Sequence, residues 1–304
     1  MGHEHNHVTI NYNRAFSIGI TLNILFVAIE VGYGIFGNSL ALIADAGHNM
    51  IDILSLLLAW GAHLLSSKRP TSKRTYGFRR VTILASLLSA ILLLVALGGI
   101  TWEAIGRLSS SQEVKGNIII IVAGIGIIVN MATALLFVSG KKHDLNIKGA
   151  YIHMLADAGV SFGVLIGGIV IMMTGLLWLD PIISIIIVII IFIGSWGLLK
   201  ESINLSIDAV PEQIDISGIK NYLINIKNVS KIHDLHVWAL STTETALTAH
   251  LVVSKNSVEN INIFLNKIEH YLHDNFNIEH MTIQIEEDDF QNNCSLNQPE
   301  CIKR

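Results

Sequence analysis

Residues 40–65 read LALIADAGHNMIDILSLLLAWGAHLL, a stretch that is apolar almost throughout. A helix needs about 20 predominantly apolar residues to cross the hydrocarbon core of a bilayer, so this stretch is long enough to span one. Asp45, His48 and Asp52 near its start are nonetheless ionisable. Ionisable groups inside a membrane segment are costly and usually mark a functional site. The stretch therefore predicts a membrane helix whose ionisable residues belong to a functional site.

The rest of the first two thirds of the chain has the same apolar character. The 304 residues are 51% hydrophobic and only 14% charged, a balance that is too apolar for an ordinary soluble protein of this length. We therefore predict an α-helical membrane protein with six transmembrane helices. The predicted spans are Ala15–Phe36, Leu40–Leu65, Val81–Ala104, Ile118–Val138, Gly149–Thr174 and Pro181–Leu199.

The charges of the connecting loops predict the orientation. Positively charged loops stay in the cytoplasm, and basic residues crowd the loops that follow the second and fourth spans. We therefore predict that both termini are cytoplasmic. The first residues lack the apolar core of a secretory signal, and we expect a bacterial inner-membrane protein. The basic residues are Lys68, Arg69, Lys73, Arg74, Arg79 and Arg80 in the first of these loops and Lys141, Lys142 and Lys148 in the second.

The last third of the chain has the composition of a small α+β domain. Its apolar patterns predict the order αββαβ, with helices at Asp215–Ile226 and Val258–Phe276 and strands at Ser230–Leu240, Glu244–Ser254 and Met281–Glu286. The expected divisions are 1–13 for a His-containing cytoplasmic tail, 14–208 for the membrane domain, 209–287 for the cytoplasmic α+β domain and 288–304 for a polar, disordered tail.

Charge and cysteine content exclude two further classes. A net charge of −4 argues against a surface that coats nucleic acid. Both cysteines, Cys294 and Cys301, lie in the polar tail, so we expect no disulfide to organise the fold.

Spans two and five carry the same motif. His48 and Asp52 are four residues apart, and so are His153 and Asp157, which puts each pair on one helix face. A charged residue at the bilayer centre costs about 2.5–3.5 kcal/mol on insertion scales. If the two faces meet, two imidazoles and two carboxylates form a complete tetrahedral set for Zn²⁺. The alternative is a set of polar contacts between helices, but two matched pairs favour the metal.

Three other polar residues lie in the first two spans. Asp45 precedes His48 by one helical turn and either orients a ligand or makes a packing hydrogen bond. Asn23 and Glu30 are seven residues apart and face one way along the first span. Glu30 either lines an aqueous path and relays protons or is paired in the interior.

Three longer motifs resemble those of the cation diffusion facilitator family, and within it the zinc-exporting branch. They are SLALIADAGHNMID at Ser39–Asp52, YGFRR at Tyr76–Arg80 and HDLHVW at His233–Trp238, and the resemblance runs from about Arg14 to Glu286. It implies a homodimer in the lipid bilayer with a cytoplasmic metallochaperone-like domain. It also implies exchange of a divalent metal for protons by alternating access, which is transport and not enzymatic catalysis.

The family's transport site maps onto His48, Asp52, His153 and Asp157. Relatives with Asp in place of His48 tend toward other or broader metals, so the resemblance favours Zn²⁺ as the substrate and as a regulatory ligand. A broader exporter of Co²⁺, Ni²⁺ or Cd²⁺ is the alternative within this class, because N/O sites follow a general affinity order. A passive metal channel or a sensor would share the spans. The chain has no H-E-x-x-H motif, and the tetrahedron is closed, which argues against a metalloenzyme.

The resemblance also assigns residues outside the membrane. Arg80 and Asp208 correspond to the family's charge interlock between the third and sixth spans; for Arg80 the alternative is contact with a lipid headgroup. Thr82 stands where an acidic residue is usual. The cytoplasmic metal ligands are expected at His233, His250 and Glu286, with His236 and His280 as substitutes, although each His can instead be a satisfied or solvent-facing residue.

Two further parts of the sequence bear on metal binding in the cytoplasm. Gln284 occupies a position that is His in some relatives, so a two-metal cluster is not expected. The N-terminal residues His3, His5 and His7 either capture metal or complete the partner's cytoplasmic site, or they hold metal only loosely.

Overall fold

A computed structural model describes residues 13–109, 112–138, 145–254, 260–287 and 302–303 of the chain. Six helices in this part are long and apolar enough to cross a membrane, which confirms the predicted fold class. Each begins and ends within a few residues of its predicted span, except that the third and sixth run further at their carboxyl ends. The helices are α1 Asn13–Gly37, α2 Leu40–Ser66, α3 Val81–Ser109, α4 Gly116–Phe137, α5 Leu145–Thr174 and α6 Leu179–Ser206.

The connection between α1 and α2 is short, and a buried carboxylate caps the start of the second helix. Asn38 takes a left-handed conformation with φ 53° and ends α1. Asp180, at the start of α6, accepts hydrogen bonds from the Ser39 hydroxyl at 2.5 Å, from the Leu40 amide at 2.7 Å and from the Ala41 amide at 3.3 Å. These amides have no partner within their own helix, and the positive end of the helix dipole favours an anion there.

The chain forms two compact units, one of residues 1–57 and 89–196 and the other of residues 58–88 and 197–304. Helices α2, α3 and α6 each contribute to both. The first unit has an apolar core that includes Phe26, Leu42 and Ile119. Glycines allow the close approach of helices there: a Cβ on Gly126 would lie 2.6 Å from the Phe26 ring and 2.9 Å from the Ser161 hydroxyl.

The second unit contains the predicted αββαβ domain. Asp215 and Asn260 cap its two helices by accepting hydrogen bonds from backbone amides. The elements are α7 Ile216–Ile224, β1 Val229–Ala239, β2 Thr245–Val253, α8 Ile261–Phe276, β3 Ile278–Glu287 and β4 Ile302–Lys303. β1 and β2 are antiparallel, and β2 and β3 are parallel with α8 as the crossover, so the sheet order is β3-β2-β1-β4.

The fourth strand was not anticipated. Ile302 and Lys303 pair with Ile232 and Lys231 at the free edge of β1, whereas the sequence predicts a disordered tail from residue 288 onward. Cys294 and Cys301 lie outside the described residues. Ile302 and Lys303 are too short a pattern to predict a strand, because their pairing depends on the edge that β1 offers.

Candidate metal sites

The two H-x-x-x-D motifs meet inside the first unit. α2 carries His48 and Asp52, α5 carries His153 and Asp157, and the helical spacing turns both members of each pair to one face. The Asp157 side chain is only 4% exposed and that of His48 15%, whereas Asp52 and His153 are more open at 31% and 42%. The quartet therefore has a buried side and an accessible side, as a site that exchanges an ion requires.

The distances within the quartet have the size of a coordination tetrahedron. His48 Nε2 lies 3.5 Å from Asp52 Oδ2 and 3.7 Å from Asp157 Oδ1, and His153 Nε2 lies 3.2 Å from Asp52 Oδ2 and 3.6 Å from Asp157 Oδ2. Ligands about 2.0–2.2 Å from a tetrahedral ion are about 3.3–3.6 Å from one another. The two imidazole rings meet edge-on with centroids 6.1 Å apart. The four His–Asp separations thus suit neighbouring ligands of one ion. Asp157 offers a different oxygen to each histidine, and the quartet as a whole is wider than a closed tetrahedron.

The carboxylate one turn before His48 does not bond to that histidine. Asp45 Oδ2 accepts a hydrogen bond of 3.1 Å from the Ser161 hydroxyl on α5. His48 Nδ1 is buried and has no hydrogen-bond partner among the residues that the structure describes. The expected orienting role of Asp45 toward His48 is therefore not seen as a direct contact.

Glu30 and Asp45 form a buried acidic pair beside the quartet. Glu30 is fully buried and Asp45 is 1% exposed, and their carboxyl groups are near neighbours. Glu30 Oε1 and Asp45 Oδ1 have no hydrogen-bond partner among the described residues. Asn49 Nδ2 donates to Glu30 Oε2 at 3.1 Å. Asn49 was missed in the sequence, although it lies one turn after Asp45 on the same face of α2. Asn23, the other polar residue of α1, donates to the Gly19 carbonyl at 3.0 Å and lies 3.7 Å from the Met154 sulfur.

A second cluster forms in the cytoplasmic domain from three strands. His233 of β1 is paired directly with His250 of β2, and their rings meet with centroids 4.9 Å apart. Glu286 of β3 lies between them: its Oε2 is 2.9 Å from His233 Nε2 and its Oε1 is 2.8 Å from His250 Nδ1. Among the described residues, this is the group of three or more ligating side chains whose atoms all lie within 4.8 Å of one another.

The donor set of this cluster fits a zinc-type ion. Two imidazole nitrogens and one carboxylate are common Zn²⁺ ligands and leave a fourth position open. The Gln284 amide donates to Glu286 Oε1 at 3.0 Å and so holds the carboxylate toward the histidines. Asp234 has φ 55° at a register shift between His233 and His236. Such a non-glycine conformation in a bulge is typical of functional sites.

The substitute ligands are not drawn into this cluster. His236 Nε2 lies 3.2 Å from Asp234 Oδ1, at the edge of the site. His280 lies against the Tyr76 ring instead, with centroids 5.5 Å apart. Its position on β3 opposite Ala246, rather than near His250, explains the difference. His3, His5 and His7 lie outside the described residues.

The start of α3 contacts the cytoplasmic domain within the second unit. Arg80 donates to Asp208, the pair expected as a charge interlock. Two contacts were missed: Arg79 Nη1 lies 2.9 Å from Glu244 Oε1, and the Thr82 hydroxyl accepts a hydrogen bond of 3.1 Å from the Thr242 amide. Thr242 and Glu244 belong to the turn between β1 and β2. No local pattern in the sequence indicates that this turn contacts the start of α3.

Two family models match the chain. The cation efflux transmembrane domain matches residues 17–205, and the cytoplasmic domain of cation efflux proteins matches residues 211–288. Together they cover both the membrane quartet and the cytoplasmic cluster.

Curated relatives match along nearly the whole chain. The metal cation efflux system protein CzcD of Cupriavidus metallidurans is 35% identical over 94% of this chain and 90% of its own length. The cadmium, cobalt and zinc/H⁺-K⁺ antiporter of Bacillus subtilis is 34% identical over 100% of this chain and 98% of its own. The zinc transporter ZitB of Escherichia coli is 34% identical, with 94% and 93% covered. With two models that match most of the chain and such relatives, this protein belongs to the cation efflux family, the cation diffusion facilitators.

Proposed function

We propose that this protein exports divalent transition metals, chiefly Zn²⁺, from the cytoplasm in exchange for protons. The observation that carries the proposal is the membrane quartet, in which four His–Asp separations of 3.2–3.7 Å have the length of edges between neighbouring ligands of one tetrahedral ion. His48, Asp52, His153 and Asp157 bind the ion. Two carboxylates balance the charge of a divalent metal, and two neutral imidazoles complete its coordination.

The same ligands couple the metal to protons. A metal binds neutral imidazole and ionised carboxylate, so protons and metal compete for one set of groups. Imidazole changes its charge near neutral pH, which makes His48 and His153 the proton carriers. When the site faces the cytoplasm it takes the metal and releases protons, and when it faces outward, protons displace the metal.

We assign Glu30 and Asp45, the buried acidic pair beside the quartet, to the proton side of this exchange. These two buried carboxylates relay protons to and from the quartet, and the hydrogen bonds from Asn49 and Ser161 fix their orientation. Asn23, beside Met154 on α5, is the other polar residue of α1 in this region.

The cytoplasmic cluster is a regulatory site in this proposal. His233, His250 and Glu286 bind Zn²⁺ when the cytoplasmic concentration is high, and the ion pair of Arg80 with Asp208 holds the start of α3 to the end of α6. The protein acts as a homodimer in a bacterial inner membrane with both termini in the cytoplasm. The basic loop at 68–80 supports that orientation.

A broader exporter is the second candidate, and one observation favours it. The Bacillus subtilis relative is named for cadmium, cobalt and zinc, and it covers the whole of this chain. An N/O ligand set accepts several divalent ions in a general affinity order. Metal competition therefore belongs in any test of the proposed substrate.

Zinc uptake into everted membrane vesicles tests the proposal. An imposed pH gradient should drive uptake by the unmodified chain, and His48→Ala should abolish it while the protein remains folded and dimeric. His270→Ala is the matched control, since this exposed histidine of α8 bonds, among the described residues, only to the Asn266 carbonyl in its own helix. Normal uptake by His48→Ala would contradict the assignment, and flux that ignores the pH gradient would indicate a channel.

A further inference from the structure

The loop before α3 is a compact basic structure rather than a featureless linker. Between Lys68 and Arg80 it carries six cationic side chains and no acidic one. Thr71 and Arg74 exchange two backbone hydrogen bonds of 3.0 Å, and the Gly77 amide donates to the Arg74 carbonyl at 2.9 Å. Gly77 has φ 70°, a conformation that residues with a side chain rarely adopt, so this turn depends on glycine.

This loop lines one wall of a cavity of about 430 Å³ within the second unit. Four cationic residues line it, together with the aromatic residues Tyr76, Phe78 and Trp238. Two of the cations are already neutralised, because Arg79 pairs with Glu244 and Arg80 with Asp208. The lining cations are Lys73, Arg74, Arg79 and Arg80.

Lys73 and Arg74 leave a surplus of positive charge in the cavity. In the part of the chain that the structure describes, neither side chain has an acidic partner within 4 Å, and both are exposed. The Arg74 guanidinium lies over the Phe78 ring at 4.6 Å from its centroid, which fixes its position at the cavity wall. Guanidinium and ammonium groups held together in this way suit a phosphate group.

The other residues of the wall place the cavity at the boundary of the membrane. Val81 and Leu84 also line it, and they belong to the first turn of a predicted membrane span. Leu84 is 55% exposed and Leu88, one turn further, is 45% exposed, so an apolar track continues along α3 from the cavity. Tyr and Trp, here Tyr76 and Trp238, are typical of the headgroup level of a bilayer.

We propose that this cavity binds the phosphate headgroup of an anionic phospholipid, whose acyl chain lies along Leu84 and Leu88. The ligand is a lipid rather than free phosphate because the cationic wall and the exposed apolar track adjoin. The proposal rests on the cytoplasmic placement of the loop under the proposed function, where the leaflet is anionic. A bound headgroup would contact both the loop and the end of β1, since Trp238 and Leu240 complete the wall.

Thermal unfolding and native mass spectrometry of the full chain in detergent test this site with added phosphatidylglycerol. Phosphatidylglycerol should remain bound and raise the unfolding midpoint, whereas phosphatidylcholine at the same concentration should not. Lys73 and Arg74 would each bond the phosphate directly, and a hydrogen bond between charged groups contributes at least roughly tenfold in affinity. Lys73→Gln combined with Arg74→Gln should therefore weaken phosphatidylglycerol binding by at least about tenfold.

Lys68→Gln combined with Arg69→Gln is the matched control, because it removes two charges from the same loop at exposed residues that do not line the cavity. It should change the affinity less than threefold. An equal loss in both double variants would overturn the proposal in favour of diffuse attraction, and so would binding of inorganic phosphate as tight as that of the lipid. If the double variant is unstable, Lys73→Gln against Lys68→Gln gives the same comparison. Neither measurement uses metal. The lipid result can therefore be told apart from a failure of the proposed metal export.

Discussion

The membrane quartet and the cytoplasmic cluster use the same side-chain chemistry in different geometries. The cytoplasmic ligands come from three hydrogen-bonded strands, and two of them, His233 and Glu286, have side chains only 3% exposed. The membrane ligands come from two helices, and two of them are 31% and 42% exposed. A sheet fixes its ligands through its register, whereas two helices can shift relative to each other. The first arrangement suits an ion that stays, and the second suits an ion that leaves.

Removing a ligand from the membrane site should have the largest effect. Asp157→Asn keeps the size of the most buried ligand but removes its charge, and we expect proton-driven zinc uptake into vesicles to fall to background. Glu286→Gln, the equivalent change in the cytoplasmic cluster, should leave substantial uptake at saturating zinc. Comparable losses in both variants would mean that the two sites do not differ in role.

The cytoplasmic change should instead appear in stability. A ligand that binds only the folded state at 100 times its Kd stabilises that state by about 2.7 kcal/mol. Zinc should raise the unfolding midpoint of the protein, and in Glu286→Gln that part of the shift should disappear, because one of three ligands loses its charge. Thermal unfolding with and without zinc measures this, with Asp157→Asn as the comparison that retains the cytoplasmic contribution.

The metal preference should depend on the membrane quartet alone. His48→Asp exchanges an imidazole for a harder carboxylate, so uptake should shift from zinc toward metals that favour oxygen ligands. We expect a change of about tenfold in the ratio of zinc to manganese uptake in competition assays, which corresponds to ~1.4 kcal/mol. An unchanged ratio would show that selectivity is determined elsewhere in the chain.

A histidine outside both sites should give the smallest effect. The hydrogen bond that His273 Nδ1 donates to Asp274 Oδ1, 3.0 Å away, and the charge of Glu279 raise the pKa of His273 above its ordinary value. The protonated histidine therefore stabilises the folded state. This stabilisation is fully present below the pKa that His273 has in the unfolded chain, and it is lost as the pH rises through the raised pKa of the folded state. His273→Gln should lower the unfolding midpoint slightly at low pH and not at high pH, without any change in zinc binding. A loss of zinc binding in His273→Gln would contradict the assignment of this histidine to the surface outside both metal sites.

Local periodicity explains which parts were predictable. The spans follow from apolar length, and the pairing of His48 with Asp52 follows from the 3.6-residue helical repeat, which needs no tertiary information. The cytoplasmic cluster was expected only by resemblance. His233 meets His250 because of a strand register that also contains a bulge, and His280 lies outside the cluster because its position on β3 is opposite Ala246.

The six spans, the α+β domain and the spacing within each H-x-x-x-D pair follow from the sequence, because each depends on residues close in the chain. Packing brings the two pairs within 3.2–3.7 Å of each other, places Glu30 beside Asp45 and sets Arg79 against Glu244. Those contacts join residues far apart in sequence. They depend on how helices and strands pack, which no local pattern of residues records.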